Sequence, residues 1–451
     1  MNMLHAGSPL TDKFAFDALA AAVCVADSGD ERVTLSLKSE DSDFIRFNRA
    51  AVRQATHVSQ GYATLAVVSG GRRIDTTLSL TGRLDVDTAT LRSQRSLLMA
   101  QLADVPEDPY LLLPDAVTSS TRDETGELAS PAALIDAVAD AAQGLDFVGF
   151  YAGGPVVRAF ADSRGQRHWH RVESFHFDWC LYHAADQAVK TAYAGTHWDA
   201  DEFARRVATG AQRMVLLAQA PHRLSPGAYR AYFTPTAMVE LLGTLGWSGF
   251  SVKARRTGTS SLCRLEQGDA QLHPGINLHE DTSHSIAPSF TADGFSKPSV
   301  VTLIDAGRAG GTLNSPRSAR EYGLEANGAN AQESPEALRL APGTLAEADA
   351  LAALDTGLYV SNLWYLNYSD RQACRMTGMT RFACFWVEGG RLVAPLSVMR
   401  FDDSFLRLFG SGLVALTDRA ETITEGGTYR ERQLSSLTTP GALVDGWRLT
   451  L

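Results

Sequence analysis

Pro226-Gly227-Ala228-Tyr229-Arg230-Ala231-Tyr232-Phe233-Thr234-Pro235-Thr236-Ala237-Met238-Val239-Glu240-Leu241-Leu242-Gly243 divides the chain. Residues 229–233 have the aromatic and apolar content of a buried strand. Thr234 can then cap a helix that starts at Pro235, where the missing N–H and fixed φ of proline cost nothing. From Ser225 onward the sequence reads as short strands, glycine-rich turns and long loops. Before that point helices and strands alternate. This change of character points to an α+β fold. We therefore expect an N-terminal α/β sandwich-like domain over residues 1–222. A β-rich C-terminal domain with antiparallel sheets is expected over residues 223–451.

Upstream, Ser8 and Pro9 read as the capped start of a buried helix over residues 10–26. Alternating or β-branched runs at 32–37, 62–68 and 74–80 read as strands, with 47–54 of mixed character between the first two. Residues 87–102 place Leu91, Leu97, Leu98 and Leu102 at helical spacing. The stretch 106–127 concentrates proline, acidic residues, serine and threonine, and reads as a long loop. A helix at 131–143 follows, then strands of a second sheet at 147–151, 156–161 and 168–177. A further helix is expected at 199–209.

The chain has 451 residues, 45% hydrophobic and 20% charged, which excludes disordered, collagen-like and coiled-coil classes. The formal net charge of −10 argues against nucleic acid as a partner, because a phosphate backbone attracts a basic face. Five scattered cysteines without a CxxC pair suit reduced thiols in a cytoplasmic protein. No run approaches the roughly 18–20 apolar residues of a membrane span. The apolar run at 18–26 lacks a basic leader, so no secretory signal is expected there.

One literal metal motif stands out: His279-Glu280-Asp281-Thr282-Ser283-His284. Zinc hydrolases need two neutral imidazoles on one metal and a glutamate to deprotonate metal-bound water. On a regular helix, histidines five residues apart diverge by about 140°. Asp281, Thr282 and Ser283, with Pro274, Gly275 and Pro288 nearby, favour a loop. Histidines also cluster at 168, 170, 176 and 183. Trp169, Phe175, Phe177 and Trp179 alternate with them, as in a half-buried strand with one polar face. There is no G-x-S-x-G elbow and no phosphate loop, and Cys374 and Cys384 read as buried, inert thiols.

Three stretches taken together resemble the TldD/TldE family, also called PmbA or modulator of DNA gyrase. The first is the opening block at 226–243. The second is Asn314-Ser315-Pro316-Arg317-Ser318-Ala319-Arg320-Glu321-Tyr322-Gly323 with Asn327-Gly328-Ala329. The third is Thr377-Gly378-Met379-Thr380-Arg381, leading into Phe385-Trp386-Val387-Glu388 and on to Pro395. Phe47-Asn48 and Val52-Arg53-Gln54 are similar to the family's N-terminal domain.

The resemblance implies a hydrolase of two kinds of subunit. One carries H-E-x-x-x-H on a helix and binds the metal. The other lacks it and completes a chamber around peptide. At the matching helix this sequence has Val239, Glu240 and Thr244, so both imidazoles are replaced by residues that cannot take their place. The late cysteine ligand expected of the metal-binding type is also missing. The resemblance therefore implies a cytoplasmic TldE-like subunit with no catalytic residue, cofactor or metal ligand of its own. Zinc is expected in a TldD-like partner, and a peptide or peptide-derived small molecule as substrate. The alternatives are a free-standing zinc hydrolase using His279, Glu280 and His284, or a non-catalytic homodimeric binding protein. Neither nucleic acid nor membrane is expected as a partner.

Overall fold

A computed structural model describes residues 8–27, 29–184 and 187–450 and shows an α+β fold with two sheets. The first sheet holds β1 (Arg32–Asn48), β2 (Ala51–Ser69), β3 (Arg72–Ser79), β4 (Ser119–Glu124), β5 (Asp146–Asp162), β6 (Arg167–Ala184) and β7 (Gln187–Gly195). Its order is β3-β2-β1-β5-β6, and the outer edge of β6 is shared by two strands. β4 pairs in parallel with residues 167–172, and β7 pairs antiparallel with residues 175–184.

Several sequence expectations change here. The residues of mixed character at 47–54 are the tip of the β1–β2 ribbon, which turns at Arg49 and Ala50 with φ of 53° and 56°. The runs at 147–151 and 156–161 are one strand, β5, and it joins β1 in the first sheet rather than a second. Gly153-Gly154-Pro155 breaks the apolar pattern without breaking the strand. Gly154 takes φ of 140°, and a Cβ there would stand 2.2 Å from the Asp41 carbonyl oxygen. The expected loop at 106–127 contains the polar edge strand β4. The helix expected at 10–26 is a turn at Pro9–Thr11 followed by α1 (Lys13–Val23), capped by the Asp12 side chain on the Phe14 N–H. With Phe14 76% exposed, α1 is amphipathic rather than wholly buried.

Alternate residues of a strand face opposite sides. On one side α1 and α2 (Leu84–Gln101) cover Val33, Leu35, Leu65 and Val157. Beside them α3 (Pro131–Ala141) and α4 (Ala200–Leu217) cover Phe47, Phe147, Phe177 and Trp179. The core around α4 also takes in Tyr232, Tyr359 and Phe385 of the second sheet.

That second sheet holds β8 (Gly227–Phe233), β9 (Leu278–Asp281), β10 (Val300–Asp305), β11 (Arg308–Ala309), β12 (Ala337–Leu340), β13 (Gly357–Val360) and β14 (Asn362–Asp370). It continues with β15 (Arg375–Arg381), β16 (Phe385–Glu388), β17 (Arg391–Pro395), β18 (Arg400–Ser404), β19 (Leu413–Thr424) and β20 (Ser436–Leu449). The main order is β11-β10-β9-β12-β20-β8-β13-β16-β17. Most pairs are antiparallel, but β12–β20 and β8–β13 are parallel. Helix α5 (Pro235–Leu245) buries Met238, Leu241, Leu242 and Leu245 in a core shared with Phe233, Phe250 and Trp447. No described helix is long and apolar enough to cross a membrane.

The other side of the first sheet is polar, and the second half of the chain covers it. Arg432 enters this face and is 5% exposed. Its Nη1 donates to the Gly154 carbonyl (2.9 Å), and its Nη2 donates to the Ser174 carbonyl and hydroxyl (2.7 and 3.1 Å). Burial pushes its pKa down to about 10, with Glu40 opposing the shift. Arg432→Met keeps the stem but strands two buried carbonyls, at a cost on the order of 3 kcal/mol. The variant is expected to unfold at lower temperature and to lose amide-exchange protection across residues 424–436. Unchanged midpoint and protection would show that the guanidinium does not hold this interface.

Candidate functional site

The helix singled out by sequence forms as expected at its start. Thr234 Oγ1 accepts from the Ala237 N–H (3.3 Å) and donates to the Ser361 carbonyl (2.9 Å), with Pro235 in the first turn. Val239 is half-buried, Glu240 is exposed and Thr244 is buried. At five positions apart, Val239 and Thr244 point about 140° from one another. The Thr244 hydroxyl donates back to the Glu240 carbonyl (2.9 Å), and the Thr244 carbonyl accepts from Tyr368 (3.0 Å). Desolvation and the nearby Glu425 raise the Glu240 carboxyl above its ordinary range, against the pull of Lys190.

Val239 opens onto a cleft of about 250 Å³ walled by Leu242, Gly243, Trp247, Pro335, Leu338, Ile423 and Leu437. Among the described residues, no imidazole or thiol lines it. The donor set does not fit a metal ion: two methyl groups and a hydroxyl committed to its own helix offer no ligand. On the far side of Ile423 lies a second cleft of about 530 Å³, with Arg213, Tyr232, Thr234, Tyr359, Arg419 and Glu421 in its walls. Arg213 lies 5.1 Å from the Tyr359 ring centroid. Sequence reasoning missed this second cleft. Its residues come from widely separated segments and carry no local spacing signal.

The His279–His284 segment is not a loop throughout. Its first three residues are in β9, followed by a single tight turn over Thr282–His284. On a strand His279 and Glu280 face opposite sides. His279 Nδ1 is buried without a partner, and its side shares Asp281 and, from β12, Arg339. Glu280 points into the core opposite Leu338, where Oε1 accepts from the Glu336 and Ala337 N–H groups (2.9 and 3.0 Å). His284 is exposed and pairs with Asp281 (2.9 Å). The three motif residues therefore diverge. A zinc site on His279, Glu280 and His284 is not assembled in this geometry.

The second histidine cluster is divided among neighbours. His168 stacks on Phe290 (4.9 Å between centroids) and bonds Ser120 Oγ (2.8 Å). His170 Nε2 donates to the Ile286 carbonyl (2.9 Å), and burial pushes its pKa down to about 4. His176 bonds Thr424 Oγ1 (3.0 Å), while His183 is exposed. His168 and His170 share the face expected of them, but that face is buried against the second half of the chain rather than half-solvated. Among the described residues, no three His, Cys, Asp or Glu side chains are grouped to hold a metal. Burial raises the thiols of Cys374, to about 12, and Cys384, which suits inert core residues.

Comparison with known proteins places this geometry. Residues 226–450 match the family described as the PmbA/TldA metallopeptidase C-terminal domain. No curated protein sequence matches the chain. Among solved structures, TldE from Thermococcus kodakarensis is 13% identical, over 97% of this chain and 100% of that one, with a TM-score of 0.78. A protein named as a modulator of a DNA gyrase from Thermotoga maritima is 14% identical, over 97% and 99%, with a TM-score of 0.75. One named as a modulator of DNA gyrase from Bacteroides thetaiotaomicron is 16% identical, over 100% of both, with a TM-score of 0.71. At these identities the likeness establishes the fold alone.

Glu280 gives a test of the core-facing assignment. Burial pushes its carboxyl up to about 7, from an ordinary 4.5. The protonated form is thus favoured by the fold. Its stabilising contribution is full below about pH 4.5 and is lost as pH rises towards about 7. Glu280→Gln cannot ionise, so its thermal midpoint should gain on the parent chain between about pH 5 and about pH 8. A difference that stays constant across that range contradicts the assignment.

Proposed function

This chain belongs to the PmbA/TldD metallopeptidase family, and from that premise we propose that it is a TldE-like subunit without a metal of its own. It works beside a zinc-bearing, TldD-like partner in a cytoplasmic complex that hydrolyses peptides or small amides. The observation that carries this reading is α5. The helix is fully formed and capped, yet at the metal-motif position it offers only Val239 to an apolar cleft, while Glu240 is exposed and Thr244 is buried. No hydrolytic step is therefore assigned to this chain's residues.

Its contribution is to hold substrate. β19 pairs with β20 along one side, and its residues 419–424 run past both clefts beside α5. Residues 343–345 bridge the other edge at Leu416–Asp418, and beyond that no strand pairs with it among the described residues. An extended peptide can add to such an edge through main-chain hydrogen bonds while alternate side chains enter the two clefts. Val239, Leu242 and Ile423 offer an apolar wall to those side chains, which excludes water from the bound segment.

Two measurements test this. Purified alone, the chain should carry no stoichiometric zinc and cleave no peptide. Mixed with a co-encoded TldD-like chain, it should form a heteromer that cleaves, with zinc on the partner. Zinc bound to the isolated chain and lost in His279→Ala would sink the proposal. The second measurement uses Gly243, where an added Cβ meets nothing within 4 Å. Gly243→Leu should fill the cleft beside α5 and gain about 0.5–1 kcal/mol of helix propensity. Peptide cleavage by the heteromer is expected to fall about tenfold in that variant without loss of stability. Full activity would remove the cleft from the substrate path.

A further inference from the structure

A cavity of about 700 Å³ lies where the polar face of the first sheet meets the second half of the chain. Lys38 and Arg158 reach it from β1 and β5, Arg73 from β3, and Lys253, Lys297 and Arg317 from the second half. Three carboxylates also line it, and each is already paired. Asp108 meets Arg317 (2.6 Å), Asp293 meets Arg73 (2.8 Å) and Glu336 meets Lys297. Glu431 stands 3.1 Å from Lys38 and 3.9 Å from Arg158. Asp75 stands 3.7 Å from Arg73, so six cations face five carboxylates, in a chain whose formal net charge is −10.

The surplus falls on Lys253, while Arg158 shares Glu431 with Lys38. Lys253 has no ion-pair partner among the described residues and is exposed. Arg158 is 12% exposed at the side chain, and its Nη groups donate to the Val157 and Arg432 carbonyls (2.9 Å each). Burial holds its pKa below the ordinary value, the mark of a desolvated cation that its neighbours do not fully compensate. Phe290 and Leu434 add apolar wall. A cavity of this size with convergent charge and an apolar side is the usual form of a small-ligand site.

We propose that this cavity binds a carboxylate-bearing peptide segment, whose carboxylate supplies the counter-charge that Lys253 lacks and that Arg158 has only by sharing Glu431 with Lys38, and whose apolar part lies against Phe290 and Leu434. The choice of a peptide over other anions rests on the peptide-handling reading above. It is supported by continuity, because Ser334, Pro335 and Ser435 line both this cavity and the cleft beside α5. A chain held at α5 can therefore reach it.

The test uses the full chain without its partner. A labelled hexapeptide with glutamates and a free C-terminus is compared by fluorescence anisotropy with its amidated glutamine counterpart. The acidic peptide should bind about tenfold more tightly, and Lys253→Glu should abolish that preference while leaving the thermal midpoint unchanged. Equal binding of the two peptides overturns the proposal, as does a preference that survives Lys253→Glu. Inorganic phosphate is titrated in parallel. Lys253-dependent phosphate binding without acidic-peptide binding would assign the site to a free anion and overturn the peptide. Hydrolysis is not read here. Failure of the reconstituted pair to cleave therefore leaves this result standing, and loss of the acidic preference leaves cleavage by the pair standing.

Discussion

The arrangement depends on one buried guanidinium. Arg432 fastens the 424–436 segment to the polar face of the first sheet by donating to β5 and β6. A strand face bearing Glu40, Ser42, His168, His170 and Ser174 could not be buried against an apolar partner, because each unpaired polar group would forfeit its bond to water. The second half of the chain instead supplies matched partners: the Ile286 carbonyl for His170, Thr424 for His176 and Arg432 for Ser174. Burial of this face is thus a consequence of complementary hydrogen bonding, with the apolar work left to the helices on the opposite face.

The same fastening decides where ligands can go. The segment that carries Arg432 lies between the cleft beside α5 and the large cationic cavity, and residues of it line both. The cleft beside α5 and the cationic cavity at the sheet junction therefore share a wall. The chemistry available there is recognition: apolar surface, a strand edge and a surplus of positive charge. α5 is a capped helix whose residues 239 and 244, a valine and a threonine, offer no imidazole. The carboxyl of Glu280, part of the literal histidine motif, instead accepts from two N–H groups at the start of β12.

Legibility followed the range of the interactions. The cap at Thr234 and Pro235 was readable because it involves residues three apart, and α2 was readable from spacing; α3 was placed as well, whereas α4 runs on to Leu217, past the expected 199–209. β5 was read as two strands because Gly153-Gly154-Pro155 interrupts the apolar pattern, although the backbone simply passes close to Asp41. β4 was hidden because an edge strand of Ser, Thr, Arg, Asp and Glu looks like loop composition. The tip of the β1–β2 ribbon was hidden because its residues 51–57 face solvent on both sides and carry no alternation.

The sequence by itself determined the α+β class, the strand–cap–helix unit at 227–245 and the buried thiols of Cys374 and Cys384. These follow from local propensity, capping and residue chemistry, which need no distant neighbour. Only the tertiary structure decided that the literal histidine motif diverges, that the polar face of β6 is buried, and that cations from six segments meet in one cavity. Those facts depend on strand registers and on contacts between residues hundreds of positions apart, and no spacing along the chain encodes them.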